Sequence, residues 1–239
     1  MTSSAPPRRA RNDPLQYEDL VDHWWDPTGP FVMLHWIAEA RARLIPPAPR
    51  PGALLVDLGC GAGLLAPHLV DKGYEHVGVD LSFSALGLAR EHAAHVVVAD
   101  VGAVPLPSGA ADVVVAGEIL EHVADLGRVV AEACRVLAPG GILVIDTIAN
   151  TALARLLVVT IAERIPRGAP KGIHDPHLFV DRRRLVTLCA GYGVDVELFG
   201  LRPTFGAIVR RDGRRRPGRT MKQTASTAVL FQGVGKKRT

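Results

Sequence analysis

The sequence predicts an α/β protein with a mostly parallel, seven-stranded sheet and helices on both faces. Three observations carry this expectation. Between Leu54 and Thr147, short β-branched runs alternate with helical patterns, which is the signature of βαβ units. Each run is almost continuously apolar, as a strand covered on both faces must be. The first run ends in a glycine-rich turn directly before a helix, at the carboxyl edge where open α/β sheets bind ligands. With 239 residues, 48% of them hydrophobic and 22% charged, the chain can bury one sizeable core and is too apolar to be disordered throughout.

Taken in order, residues 1–14 read as a disordered basic arm and residues 15–50 as an N-terminal helical lid. The lid has helical patterns over 19–26 and 33–44 and a proline-rich link at 46–51. Residues 51–239 form the core, with strands expected at 54–58, 76–80, 95–99, 112–116, 141–147, 194–201 and 227–232. Helices are expected at 64–72, 82–94 and 126–137, the last stopped by Pro139-Gly140-Gly141. A helical insertion spans 151–180. Its part from 151 to 165 is apolar on nearly every side, so it must be buried or face a partner or lipid. An arginine-rich loop at 210–219 separates the last two strands.

The charge is divided unevenly. The total is +4, yet Arg8, Arg9 and Arg11 carry +3, the 210–219 loop +5 and Lys236, Lys237 and Arg238 another +3, which leaves the rest of the chain near −7. A basic fringe of this kind can meet nucleic acid or an anionic membrane surface, and it equally suits solvated termini and a solvated loop. No apolar stretch is long enough to cross a bilayer, and the basic start lacks the apolar region and cleavage site of a secretory signal. The expected location is therefore cytoplasmic, with membrane-peripheral contact as an option. Cys60, Cys134 and Cys189 are scattered without metal-ligand or disulfide spacing and read as small apolar filler.

The chemistry gathers at the strand ends. Asp57-Leu58-Gly59-Cys60-Gly61-Ala62-Gly63 lets the backbone approach a ligand closely. Its glycine spacing differs from that of a pyrophosphate-binding turn, and Asp57 is unfavourable beside a dinucleotide phosphate, so a cationic, phosphate-free cofactor fits better. Asp80 closes the second strand, where a carboxylate can accept both hydroxyls of a ribose, and Asp100 closes the third, where it can receive an adenine amino group.

With these residues the sequence resembles the class I S-adenosylmethionine-dependent methyltransferases, which have a Rossmann-like fold. It is more closely similar to the ubiquinone-biosynthesis O-methyltransferases, which methylate polyprenylated catechols and demethylubiquinols. Four blocks carry the resemblance: Trp24-Trp25-Asp26 with Leu34-His35 downstream; the glycine-rich turn; Glu118-Ile119-Leu120-Glu121-His122-Val123; and Pro170-Lys171-Gly172-Ile173-His174-Asp175. The resemblance implies cofactor contacts at Arg41, Gly59, Asp80 and Gly117, to which the turn adds Asp57 and Gly61 and the strand ends add Asp100.

Glu118, Glu121 and His122 follow the fourth strand at a spacing that would put all three on one face of a helical turn. Two carboxylates so close repel unless a cation or proton joins them. With His174 they make an oxygen and nitrogen set that fits Mg²⁺, Mn²⁺ or Zn²⁺. A similar set occurs in the metal-dependent small-RNA 2'-O-methyltransferases, where it holds two vicinal hydroxyls, and a catechol offers the same pair of oxygens. The expectation is therefore a metal-assisted O-methyltransferase of a phenolic or catechol substrate. Glu118, Glu121, His122 and His174 would hold the metal, with His122 and Glu121 catalytic and His122 the general base if no metal binds. The competing readings are a methyltransferase of another small molecule or of nucleic acid, a nicotinamide-dependent oxidoreductase, and a noncatalytic binding module. The turn spacing and Asp57 oppose the oxidoreductase.

Overall fold

The computed structural model describes residues 9–92, 94–165, 168–209 and 220–239. The arginine-rich loop at 210–219 and the first eight residues of the arm lie outside them. The sheet has eight strands rather than the expected seven, in the order β3-β2-β1-β4-β5-β8-β6-β7. β1 (Leu54–Leu58), β2 (Glu75–Asp80), β3 (His95–Val98), β4 (Ala111–Gly117) and β5 (Leu137–Ile148) pair in parallel. β8 (Leu230–Lys237) runs antiparallel between β5 and β6 (Val194–Pro203), and β7 (Met221–Thr224) adds an antiparallel edge to β6.

Alternation along the central strands explains why both faces are covered. Val56, Leu58, Val114 and Ala116 face one layer, where they meet α4 (Leu126–Val136) and α6 (Arg182–Gly191) through Val129, Ala133 and Leu185. Leu55, Val113, Val115 and Val144 face the other, against Ala42, Ile45, Leu65 and Leu69. The expected 64–72 helix is instead two single 3₁₀ turns, Ala66–His68 and Val70–Lys72. Pro67 removes a backbone donor at its start, and Gly73 stops the chain in the left-handed region at φ 80°. The final strand lies further along the chain than the expected 227–232. All three cysteines are free and buried.

The lid consists of α1 (Leu15–Asp19), a 3₁₀ turn at Val21–His23 and α2 (Val32–Ala42). Trp24 packs with Phe31, Ala38, Ala62, Leu64 and Ala85, so the lid is stitched onto the glycine-rich turn and onto α3 (Phe83–Glu91). Arg9 to Pro14 are not the free arm expected of them. Arg9 pairs with Asp19, Arg11 with Glu163, and Asn12 N–H donates to the Gly172 carbonyl at 3.1 Å. The insertion begins as α5 (Ala152–Ala154), continues as a π-helical segment over Arg155–Ile161 and ends in a 3₁₀ turn at Ala162–Arg164. Its inner side packs on Ile148 and Phe179 through Ala154, Val158 and Val159, while Leu153, Leu156, Leu157, Ile161 and Ile165 are exposed. Among the described residues, no helix is long and apolar enough to cross a membrane.

Candidate active site

β1 lies between β2 and β4, so the chain leaves its carboxyl end at the point where strand order reverses, and a crevice opens there. The crevice is a cavity of about 420 Å³. Arg41, Asp57, Gly59, Gly61, Asp80, Asp100 and Gly117 all line it, and so do Glu118, His122 and His174. Lid and insertion close its remaining sides through Tyr17, Trp24, Phe31, Val158 and Ile173.

The turn is shaped by its glycines. Gly59 sits at φ 69°, and a Cβ there would come within 2.6 Å of Ile119. At φ 52°, Gly61 passes under Trp24, where a Cβ would be 2.7 Å from the indole ring. Asp80 fixes the turn from the neighbouring strand. One carboxylate oxygen accepts from Gly61 N–H at 2.8 Å and the other from Ser82 N–H at 2.9 Å. Burial raises the Asp80 pKa against the pull of these backbone donors. Asp57 is buried 3.6 Å from His76, and Asp100 stays open to solvent at the far end, where its carboxylate accepts from Gly102 N–H at 2.8 Å. A cradle of close backbone, a carboxylate on the neighbouring strand end and acids that favour a sulfonium cation together fit S-adenosylmethionine.

Arg41 reaches the cavity from α2 and forms a two-point ion pair with Asp146 of β5, with Nε and Nη2 donating at 2.6 and 2.7 Å. Burial lowers its pKa, but the Asp146 carboxylate outweighs that and the net shift is upward. Gly117 is what lets it pass, since a Cβ there would fall 1.9 Å from the guanidinium carbon.

The proposed metal set does not assemble, and among the described residues no group of three or more His, Cys, Asp or Glu side chains could hold a metal ion. The helical spacing assumed for residues 118–122 is absent. Glu118 has a left-handed backbone at φ 52°, and only Leu120–His122 makes a 3₁₀ turn. Glu121 turns away from the cavity and accepts from the Thr147 hydroxyl at 2.6 Å. His174 lies 3.4 Å from Glu163, and both ring nitrogens of His122 are already engaged. Burial, then Glu121 and Asp146, push the Glu118 pKa well above the carboxylate range, and burial raises Glu121 to about 7. The metal expectation for Glu118, Glu121, His122 and His174 is therefore corrected, and no chemical step is assigned to a metal.

The structure adds two residues around His122 that the sequence reading did not select. Asn12 spans it, its amide nitrogen donating to the His122 carbonyl at 2.9 Å while its oxygen meets ring Nδ1 at 2.5 Å. A carbonyl only accepts, so the amide must face it with nitrogen, and its oxygen then requires a proton on Nδ1. That tautomer leaves Nε2 as an acceptor, 3.1 Å from the Tyr17 hydroxyl. Burial and the nearby Glu121, Glu118 and Asp80 raise the Tyr17 pKa, so it stays a donor. Burial, and secondarily His174 with its ring 5.7 Å away, lower the His122 pKa to about 3, and the imidazole is neutral. Neither partner carried a local signal, because Asn12 lies more than a hundred positions from His122 in the chain.

A methyltransferase domain model matches residues 56–145. The ubiquinone biosynthesis O-methyltransferase of Thiobacillus denitrificans is 36% identical over 191 residues, which cover 76% of this chain and 82% of that protein. The protein of the same name from Burkholderia thailandensis is 33% identical over 206 residues, covering 82% and 88%. Among solved structures, an S-adenosylmethionine-dependent methyltransferase of Thermotoga maritima, described as a possible histamine N-methyltransferase, superposes with a TM-score of 0.65 over 93% of this chain and 97% of that one. At 16% identity that likeness speaks for the fold alone.

Proposed function

The chain belongs to the ubiquinone biosynthesis O-methyltransferase family, and from that premise we propose that it moves the methyl group of S-adenosylmethionine to an oxygen of a phenolic or catechol quinone precursor. The observation that carries this reading is a single cavity lined by the glycine-rich turn, Asp80, Arg41 and the neutral His122. The bound cofactor supplies an electrophilic methyl on a sulfonium. The chain's own work is to hold the acceptor oxygen in line with it and to take the oxygen's proton, and alignment alone can be worth about 7 to 11 kcal/mol.

Asp57, Gly59, Gly61, Asp80, Asp100, Arg41 and Gly117 are the proposed cofactor residues. His122 is the proposed base. A substrate hydroxyl taking the place of Tyr17 at Nε2 gives up its proton there as the oxygen–carbon bond forms and the sulfur–carbon bond breaks. The positive charge thus leaves sulfur and reappears on the imidazolium, with Asn12 accepting from Nδ1–H. Glu121 is not part of this step because its carboxylate serves Thr147. The apolar lining contributed by Val158, Ile165 and Ile173 suits an aromatic ring with hydrocarbon attached. The exposed apolar side of the insertion also favours peripheral contact with an anionic membrane.

Transfer of labelled methyl from the cofactor to small catechols tests the reading. The expected result is an O-methylated product, lost in His122→Asn at unchanged cofactor affinity. A protein that binds the cofactor and methylates no phenol or catechol would overturn the substrate assignment.

A further inference from the structure

We infer that Asp146 is a positioning residue: it fixes the Arg41 guanidinium so that its remaining edge receives the carboxylate of the cofactor's amino-acid end, and so makes the site select a carboxylate-bearing sulfonium. The inference rests on the cofactor reading above and adds to it a residue that lies outside the cavity wall.

The geometry begins with strand register. Asp146 stands opposite Gly117 in the β4–β5 ladder, and its backbone carbonyl accepts from Glu118 N–H at 2.8 Å. Arg41 crosses the gap that Gly117 leaves and docks on Asp146 with Nε and Nη2, in the paired-donor geometry that suits a guanidinium and a carboxylate. Both partners are buried, Arg41 at 7% exposure and Asp146 at 1%. Gln232 of β8 stands 3.5 Å from the same carboxylate and braces it from behind. Arg41 lines the cavity and Asp146 does not, and among the described residues Nη1 carries no hydrogen bond to the protein. The edge turned away from Asp146 is thus the one a ligand meets.

Charge matching identifies that ligand group. Arg41 is the sole lysine or arginine among the described residues that line the cavity, and the carboxylate is the sole anion of S-adenosylmethionine. Asp146 has a competitor for the guanidinium, since Asp57, which lines the cavity, also bears on Arg41. Without Asp146, Arg41 is expected to turn toward Asp57 and to lose the fixed orientation of its outer edge. A buried arginine also needs one permanent counter-charge to stay where it is when no cofactor is bound.

The test compares S-adenosylmethionine with its decarboxylated analogue by calorimetry in wild-type protein, Asp146→Asn and the double variant Arg41→Met/Asp146→Asn, with adenosine as a probe lacking the amino-acid end. Wild type is expected to favour the carboxylated compound, and Asp146→Asn to shrink that preference about 10- to 100-fold, the range of a hydrogen bond to a charged group. Adenosine affinity is expected to stay unchanged throughout, which general damage to the pocket would not allow. Should Asp146→Asn fail to fold, the double variant, which leaves no unpaired charge, carries the test and is expected to show almost no preference. Wild-type preference retained in either folded variant would overturn the inference and leave the cofactor reading standing. Wild-type protein that binds neither compound would overturn both.

Discussion

At the scale of single residues, the site is governed by what burial does to charge. Asp80 spends both carboxylate oxygens on backbone N–H groups and so holds the turn in shape before any ligand arrives, which suits its proposed role at the cofactor's ribose. Asp80→Ala is expected to weaken S-adenosylmethionine binding by about 1.5 to 3 kcal/mol while the protein stays folded, and titration calorimetry measures it directly. Unchanged affinity would remove Asp80 from the site. Glu121 and His122 make a second, opposed pair. The Glu121 pKa is raised from 4.5 to about 7, so between those values the native state holds a proton that the unfolded chain has lost, and stability falls as pH rises through that window. His122 is lowered from 6.5 to about 3, so over that interval the unfolded chain holds the extra proton and stability falls as pH drops. Glu121→Gln should therefore gain stability relative to wild type between pH 5 and pH 8, by up to about 3 kcal/mol. His122→Asn should resist acid better than wild type between pH 6 and pH 4. Thermal melts at these four values are the measurement, and parallel curves for variant and wild type would show that the two groups titrate as ordinary exposed residues.

At the scale of elements, the legible parts of the fold were those whose signal is local. The five parallel strands and α4 follow from apolar runs, and the structure shows them close to where they are expected, although Pro139-Gly140-Gly141, expected to stop α4, lies inside β5, which begins at Leu137 directly after the helix. α6 was missed because Arg182, Arg183 and Arg184 open it and hide the Leu185 and Cys189 stripe that faces the core. What announces it is the cap, where Asp181 accepts from Arg184 N–H at 2.9 Å. Asp181→Ala should cost about 1 kcal/mol, read as a lower midpoint in urea at unchanged slope. The site was legible to the same extent. The glycine-rich turn, Asp80 and Asp100 each sit at the end of a strand that the sequence reveals, and the structure brings them to one cavity. Asp146 sits in such a strand as well, yet nothing in the sequence says that α2 sends Arg41 across Gly117 to reach it. The metal set failed for the complementary reason. Its spacing argument needed a helix, and a left-handed Glu118 breaks the geometry at the first residue.

At the scale of the whole molecule, the chain combines a cavity walled by lid and insertion with exposed apolar side chains on the insertion. Leu156 and Leu157 are 49% and 39% exposed, Leu153, Ile161 and Ile165 are exposed as well, and Arg155 and Arg164 lie in the same segment. Val158 and Ile165 also line the cavity, so the element that would touch a bilayer is the one that walls the substrate space. Apolar side chains inserted shallowly gain from burial, and arginines in the same segment gain about 1 kcal/mol each near anionic headgroups, a contribution that salt screens. The full chain is therefore expected to sediment with vesicles of anionic lipid at low salt, less at high salt, and little with neutral vesicles. Replacing Leu156, Leu157 and Ile161 by serine should abolish sedimentation at both salt concentrations, because these side chains are exposed and their loss leaves the core intact. Val159 is unsuitable for this purpose since it packs on the Ile148 and Phe179 cluster. Equal recovery in the supernatant with both lipids at both salt concentrations would assign these side chains no membrane role. In that case the substrate must reach the cavity from water, and turnover of a short-chain catechol should be indifferent to added vesicles.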